Sequence, residues 1–173
     1  MANYTIFPAL GVISLGTSVQ ESFPQYEVKV FDGQVQDELE ILQCIKVDKP
    51  DVVGVSVLAT NYRSSLSYAQ AAKNVGATVI FGNDQVALHG RNMLNQRGEI
   101  DYGCTADVGE FAFLKFLEYL EGNCQVAEVP QLLYRTTRGI EHNDIPEIPD
   151  ASQRLGRERL TLLDKIPIAD RGL

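Results

Sequence analysis

The sequence has no tryptophan, only two histidines and three cysteines in 173 residues, and few cations for its acids: 15 Lys and Arg against 23 Asp and Glu, a formal net charge of −8. Each shortage removes a class of function. Tight binding of a phosphate backbone needs clustered Lys and Arg, and here the cations are scattered among a surplus of carboxylates, so nucleic acid is not an expected partner. Cys44, Cys104 and Cys124 are odd in number and widely spaced. No pair of them stands at the spacing a zinc or iron-sulfur site uses, so they read as reduced thiols packed as small buried or half-buried residues. His89 and His142 are too few for an all-histidine metal site and read as surface residues. The longest apolar runs, such as residues 52–58, are far shorter than the roughly 20 residues that cross a bilayer. No charged, apolar and small-residue succession marks a leader. The expectation is a cytoplasmic protein that neither crosses nor coats a membrane.

What is present is a core. With 45% apolar and 22% charged residues, a chain of this length hides about two-thirds of its unfolded surface. Short β-branched runs alternate with longer segments of helical periodicity, the pattern of parallel-sheet units. Strands are expected at 26–31, 51–57, 77–81 and 101–104, with a weaker one at 131–134. Between them, Leu39, Leu42 and Ile45 form one helical stripe, Leu66, Ala69, Ala72 and Val75 a second, and Phe113, Phe116, Leu117 and Leu120 a third. These stripes, with Phe111, read as core. Ser64 and Ser65 can satisfy free N–H groups where the second helix starts, and Gly76 stops it.

The fold class that follows is α/β: a doubly wound, mostly parallel sheet of the Rossmann or flavodoxin-like kind, with a short C-terminal hairpin and linker extension. The run Val52 to Val57 is nearly all apolar, which fits a central strand covered on both faces. The domain is expected over residues 1–125. Residues 126–173 carry Pro130, Pro146, Pro149 and Pro167, a hairpin around Arg138-Gly139, and a short helix over 154–163. In open parallel sheets the ligand crevice lies outside the carboxyl ends of the strands. Here those positions are small and polar: Asp32-Gly33, residues 56–61, Gly82-Asn83-Asp84 and residues 105–110.

Four motifs in order carry a family resemblance. Phe7-Pro8-Ala9-Leu10-Gly11 resembles the helix opening, Glu27 to Gly33 the second strand, Lys49-Pro50-Asp51-Val52-Val53-Gly54-Val55-Ser56 the third, and Gly76 to Gly82 the fourth, of the cobalamin-binding domain at the front of many radical S-adenosylmethionine enzymes. The resemblance runs from about Phe7 to Asp150. It implies a corrinoid held at the carboxyl ends of the sheet against a radical catalytic domain, in cis or in trans, often for methyl transfer. The residues it points to as cofactor-binding are Ser56, Thr60, Asn61, Gly82, Asn83, Gly109 and Glu110, with no catalytic residue and no metal site of the chain's own. A bulky corrin with amide side chains needs close backbone approach, which Gly54, Gly82 and Gly109 permit, and neutral hydrogen-bonding groups, which Ser56, Thr60 and Asn61 supply.

Departures from the family pattern are equally definite. The Cys-x-x-x-Cys-x-x-Cys motif that holds the iron-sulfur cluster is absent. Cluster and S-adenosylmethionine are therefore expected only with a further C-terminal domain, and the chain reads as a piece of a larger enzyme or as a stand-alone module, inactive by itself. The family's apolar first strand is reduced to residues 4–7, which are expected to pair weakly or to be replaced by a partner or a second copy of the chain. Its Gly-Gly-Pro-His appears as Gly82-Asn83-Asp84-Gln85 and its Gly-Glu-Gly-Glu as Ala106-Asp107-Val108-Gly109-Glu110. The Asp-x-His-x-x-Gly motif of cobalamin mutases is missing, so no lower histidine ligand is expected. Asp84, Asp107 and Glu110 could gather acidity near the crevice without making a metal site.

The alternative function is a cofactor-free interaction or regulatory module derived from that domain. Tyr62, Gln85 or Arg91 filling the space above Gly82 and Gly109 would favour it. A phosphate-accepting receiver domain needs clustered acids after the first strand and a lysine after the fifth, and the residues after Cys104 are Thr105, Ala106 and Asp107 instead. No Gly-x-Gly-x-x-Gly or Walker loop supports nucleotide binding.

Overall fold

A computed structural model describes residues 9–144. The expectations for residues 4–7, for the helix over 154–163 and for the proline-rich stretch 145–167 lie outside the described residues. Helix α1 (Leu10–Ser22) is followed by α2 (Glu38–Asp48), β1 (Val52–Ser56), α3 (Tyr62–Asn74), β2 (Thr78–Gly82), α4 (Asp84–Gln96), β3 (Tyr102–Cys104) and α5 (Gly109–Leu120). A 3-10 turn (Val126–Glu128) and the hairpin of β4 (Leu132–Thr136) and β5 (Gly139–His142) complete the described chain. The sheet runs β1-β2-β3-β4-β5, parallel through the first three strands and antiparallel in the hairpin. The doubly wound α/β class read from the periodicity is the fold observed.

Local chemistry sets the boundaries. Asp37 caps α2 by accepting the Leu39 N–H at 2.8 Å, and Lys49 ends it in the left-handed conformation, φ 49°. Gly76, at φ +89°, makes the turn from α3 into β2 that a side chain would strain. The sheet separates two cores. On one face Val57, Val79, Phe81 and Leu133 meet Ile41 and Ile45 of α2, Ala69 and Ala72 of α3, and Val86 and Leu94 of α4. On the other, Ile80, Cys104 and Leu132 meet Ala112 and Phe116 of α5. Successive residues of β2 thus feed opposite cores, as the two-residue strand period requires. Helix α1 buries Thr17 and Ser18 because both hydroxyls bond back to carbonyls one turn earlier, Ile13 and Ser14, at 2.9 Å.

Several sequence expectations are corrected. Residues 26–31 form no strand. They keep a strand's alternation, Glu27 and Lys29 exposed and Val28 and Val30 half-buried, but make no ladder, and Lys29 is tied instead to Asp48 at 2.8 Å. Consequently β1 is the terminal strand of the described sheet, not its middle, and none of its residues is fully buried. The stripe on α2 is turned: Ile41 and Ile45 face the core while Leu39 is 75% exposed. In the third stripe, Leu120 lies at the solvent edge. Ser64 and Ser65 satisfy no free N–H; both hydroxyls donate to the Asn61 carbonyl, at 3.0 and 2.9 Å.

Candidate functional site

The carboxyl ends of β1, β2 and β3 fall at Ser56, Gly82 and Cys104, with Ser56 paired to Gly82 in the ladder. The chain leaves each strand through a short polar segment, as the alternation of strands and helices requires. Two asparagines organise the edge. The Leu58 backbone N–H donates to Asn61 Oδ1 at 2.8 Å, which turns Asn61 Nδ2 onto the Ser56 carbonyl at 3.0 Å. The Asp84 backbone N–H donates to Asn83 Oδ1 at 2.7 Å, which turns Asn83 Nδ2 onto Ser56 Oγ at 2.9 Å. A backbone N–H can only donate, so both amide orientations are fixed by the main chain.

Asn83 reaches this place through an unusual backbone, φ 77° and ψ −175°, a region populated almost only by glycine. Holding an asparagine there costs about 1–3 kcal/mol. The cap that it gives α4 and the bond to Ser56 offset that cost.

Glycines open the edge. A Cβ at Gly82 would meet nothing nearer than the Cys104 carbonyl at 3.9 Å, and one at Gly109 only Leu15 at 3.8 Å. A ligand can therefore lie against the backbone at both positions. No atom of Tyr62, Gln85 or Arg91 comes within 4 Å of a Cβ built at Gly82 or Gly109; Tyr62 packs on the core, and Arg91 donates to the Ile140 carbonyl of the hairpin. Gly54 departs from the expectation. A Cβ at this position would lie in ordinary contact, 3.6 Å, with the Phe113 ring, so Gly54 faces α5 and not the carboxyl edge.

Of the seven residues expected at the site, the structure joins Ser56, Asn61, Gly82 and Asn83 in one cluster. Thr60 is exposed beside Asn61, and Gly109 and Glu110 open α5 after β3, on the next strand end. Among the described residues no hydrogen bond ties these three to the cluster. Asp84, Asp107 and Glu110 do not converge, and no three His, Cys, Asp or Glu side chains among the described residues are grouped to hold a metal ion.

A second cluster at the same edge has no counterpart among the sequence expectations. His142, expected at the surface, is half-buried, with Nε2 2.9 Å from Thr105 Oγ1. Thr105 also contacts the Gln131 carbonyl and side chain, at 3.2 and 3.0 Å. Burial, with Arg91 nearby, lowers the His142 pKa, against a smaller upward pull from Asp144. The antiparallel return of the hairpin brings His142 here, and no local pattern announces that register.

A cavity of about 520 Å³ lies at the opposite, amino end of the parallel strands, lined by Lys73, Asp101, Tyr102, Tyr119 and Arg135 among others. Its charges are internally matched. Lys73 pairs with Asp101 at 2.8 Å, Asp101 also accepts the Val79 N–H, and Arg135 donates to the carbonyls of Leu94, Arg97 and Ile100.

Comparison with known proteins bears on the family and the fold. The family model of the B12 binding domain matches residues 4–111. An uncharacterized methyltransferase of Pyrococcus horikoshii is 25% identical over 168 residues, covering 95% of this chain and 33% of the relative. The fold is shared with the cobalamin-dependent S-adenosylmethionine radical enzyme OxsB, solved with aqua-cobalamin and S-adenosylmethionine bound, at a TM-score of 0.66 and 18% identity, over 78% of this chain and 19% of that one. It is shared as well with the radical S-adenosylmethionine methyltransferase TsrM of Kitasatospora setae, solved with cobalamin and a [4Fe-4S] cluster, at 0.65 and 19%, over 82% and 26%. The chain thus spans a third of the curated relative and a fifth to a quarter of the solved enzymes.

Proposed function

The chain belongs to the B12 binding domain family, and we propose that it holds a cobalamin at the carboxyl ends of β1, β2 and β3 and presents it to a radical S-adenosylmethionine catalytic domain, in cis or in trans. The observation that carries this reading is the open backbone at Gly82 beside the Ser56–Asn61–Asn83 cluster. A corrinoid is large, amide-fringed and close to neutral over most of its surface, so it is held by close backbone approach and uncharged donors and acceptors. Those are the groups at this edge.

The residues assigned to the cofactor are Ser56, Thr60, Asn61, Gly82, Asn83, Gly109 and Glu110. When bound, cobalamin supplies a cobalt centre able to carry a methyl group or exchange electrons. The chain's own part is to bind, orient and shelter it. No histidine stands in the context that ligates cobalt in mutases, so the lower face takes none from this chain. Iron-sulfur cluster and S-adenosylmethionine belong to the catalytic domain, the substrate of which is outside this reading. Residues 1–125 act as the cofactor-holding unit and residues 126–173 as hairpin and extension. The acidic composition, net −8, suits a cytoplasmic protein that avoids nucleic acid and membranes, and β1, the terminal strand of the described sheet, offers an edge at which a second copy could pair.

The test is equilibrium dialysis of the purified chain against hydroxocobalamin, with the absorption spectrum of what is retained. Retention at low-micromolar free cofactor, with a spectrum of the form lacking nitrogen coordination by the cofactor's own base, supports the reading. A folded chain that retains nothing contradicts it.

A further inference from the structure

Thr105, the first residue after β3, is held by the C-terminal hairpin. Its backbone N–H donates to the Gln131 carbonyl at 2.9 Å. Its hydroxyl lies 3.2 Å from that carbonyl, 3.0 Å from Gln131 Oε1 and 2.9 Å from His142 Nε2. The peptide unit that carries the Thr105 N–H also carries the Cys104 carbonyl, and in a trans peptide the two point in opposite directions. With the N–H turned toward the start of β4, the carbonyl is turned toward β2. It is the atom nearest to a Cβ built at Gly82, 3.9 Å away. The orientation of one peptide plane thus sets one border of the opening at Gly82.

The far end of this contact is itself anchored. β5 is the terminal strand on the hairpin side and has a ladder only with β4. Around His142, however, three other elements take hold of it. Arg91 of α4 donates to the Ile140 carbonyl, the Asn143 N–H donates to the Leu132 carbonyl at 2.9 Å, and Asn143 Nδ2 donates to the carbonyls of Val126 and Val129 at 2.6 and 3.0 Å. His142 stands between these anchors with its side chain half-buried. The near end leads into a helix with no side-chain cap of its own: Val108, at the N-cap of α5, makes no such bond. The first turn of α5, which carries Gly109 and Glu110, therefore takes its place from the segment that begins at Thr105.

We infer that His142 is a positioning residue of the cofactor site: by holding Thr105 it fixes the Cys104–Thr105 peptide beside Gly82 and the segment that delivers Gly109 and Glu110. The hairpin is then part of the frame of the site. This rests on the cobalamin reading for what occupies the opening, but not for the His142–Thr105 relation.

The test compares hydroxocobalamin affinities of folded variants at about pH 7.5, where an ordinary imidazole is neutral. His142→Ala and Thr105→Val should each lower the affinity about five- to tenfold, the worth of one hydrogen bond of ordinary net strength. Both remove the same contact, so the double variant should bind within about twofold of either single one. His142→Gln, whose amide can reach the place of Nε2, should bind within about twofold of wild type, less than the loss of one hydrogen bond. Full affinity in a folded His142→Ala, losses that multiply in the double variant, or a His142→Gln as weak as His142→Ala would each overturn the assignment.

A second readout needs no ligand. In nuclear magnetic resonance spectra of His142→Ala the Cys104 carbonyl carbon and the backbone amides of Thr105, Gly109 and Glu110 should shift, with the amide of Gly76 at the amino end of the sheet unmoved. His142→Gln should return them. Unmoved signals at Gly109 and Glu110 would overturn the positioning role whatever the cobalamin result. Shifted signals in a chain that retains no cobalamin would uphold the positioning and contradict the cobalamin reading, and with it the role toward that ligand.

Discussion

His142 Nε2 stands 2.9 Å from Thr105 Oγ1, joining the last residue of β5 to the first residue after β3. The Thr105 hydroxyl also lies within reach of two acceptors on Gln131, so a protonated His142 can donate to it while the hydroxyl turns to Gln131. Protonation places on that half-buried ring a charge that burial and Arg91 oppose more than Asp144 favours it. The pKa is lowered in the folded state, so the unfolded chain binds the proton more readily. Stability from this site is complete above the ordinary value of 6.5 and is lost as pH falls below it toward the folded value. Denaturant midpoints measured from about pH 7.5 to about pH 5 should decline for the wild type, and His142→Gln, which keeps a donor but does not titrate, should flatten that part of the profile.

Gly90 and Gly82 are predicted to respond to a side chain in opposite ways. A Cβ at Gly90 would stand 2.6 Å from Leu133 Cδ1 and 2.9 Å from Val86 Cγ1, where α4 lies against the sheet. Gly90→Ala therefore forces core side chains to move and should cost about 1–3 kcal/mol, read as a lower denaturant midpoint. Gly82→Ala, with open space before it, should leave the midpoint nearly unchanged.

Arg135 ends α4 from a distance. Its guanidinium donates to the carbonyls of Leu94, Arg97 and Ile100, at the helix terminus and in the following turn, where Arg97 also accepts the Ile100 N–H at 3.3 Å. Arg135→Met keeps the stem and removes the fork. The loss should be about 1 kcal/mol, or roughly 2–4 °C in melting temperature for a chain of this size, with cobalamin retention unchanged because the residue lies at the amino end of the sheet.

Asn61 holds the turn after β1. Asn61→Ala removes the acceptor of the exposed Leu58 N–H and the donor to the part-buried Ser56 carbonyl, so stability should fall by about 1 kcal/mol. Hydroxocobalamin affinity should fall more visibly, since the segment that carries Ser56, Thr60 and Asn61 loses its fixed form. Asn61→Asp, which keeps the acceptor but not the donor, should give an intermediate loss.

Strands β1, β2 and β3 were legible because each is a short apolar run stopped by a glycine or a polar residue, and the helices between them because their apolar residues recur at helical spacing. What such runs report is the burial of their faces. They say nothing of lateral neighbours, which is why Val52 to Val57 reads as a central strand although β1 is the terminal strand described. Residues 26–31 show the converse: the alternation is a strand's, but a ladder needs a partner that the segment itself does not encode. At the site, Ser56, Asn61, Gly82 and Asn83 could be named because they follow strand ends in an open parallel sheet. The pairing of Asn83 with Ser56 and of His142 with Thr105 depends on register and on one rare backbone conformation, and neither is written in local composition.

Whether a corrinoid lies on the backbone at Gly82 is decided by the affinity of the folded chain for hydroxocobalamin, measured side by side for the wild type and Gly82→Val. A valine at Gly82 fits the strand without displacing the Cys104 carbonyl, 3.9 Å from its Cβ, but covers the backbone on which the corrinoid is placed. Low-micromolar binding by the wild type is expected, with at least about a tenfold loss in Gly82→Val and matching circular dichroism for the two. Equal affinity in a folded Gly82→Val, or no binding by a folded wild type, would contradict that placement.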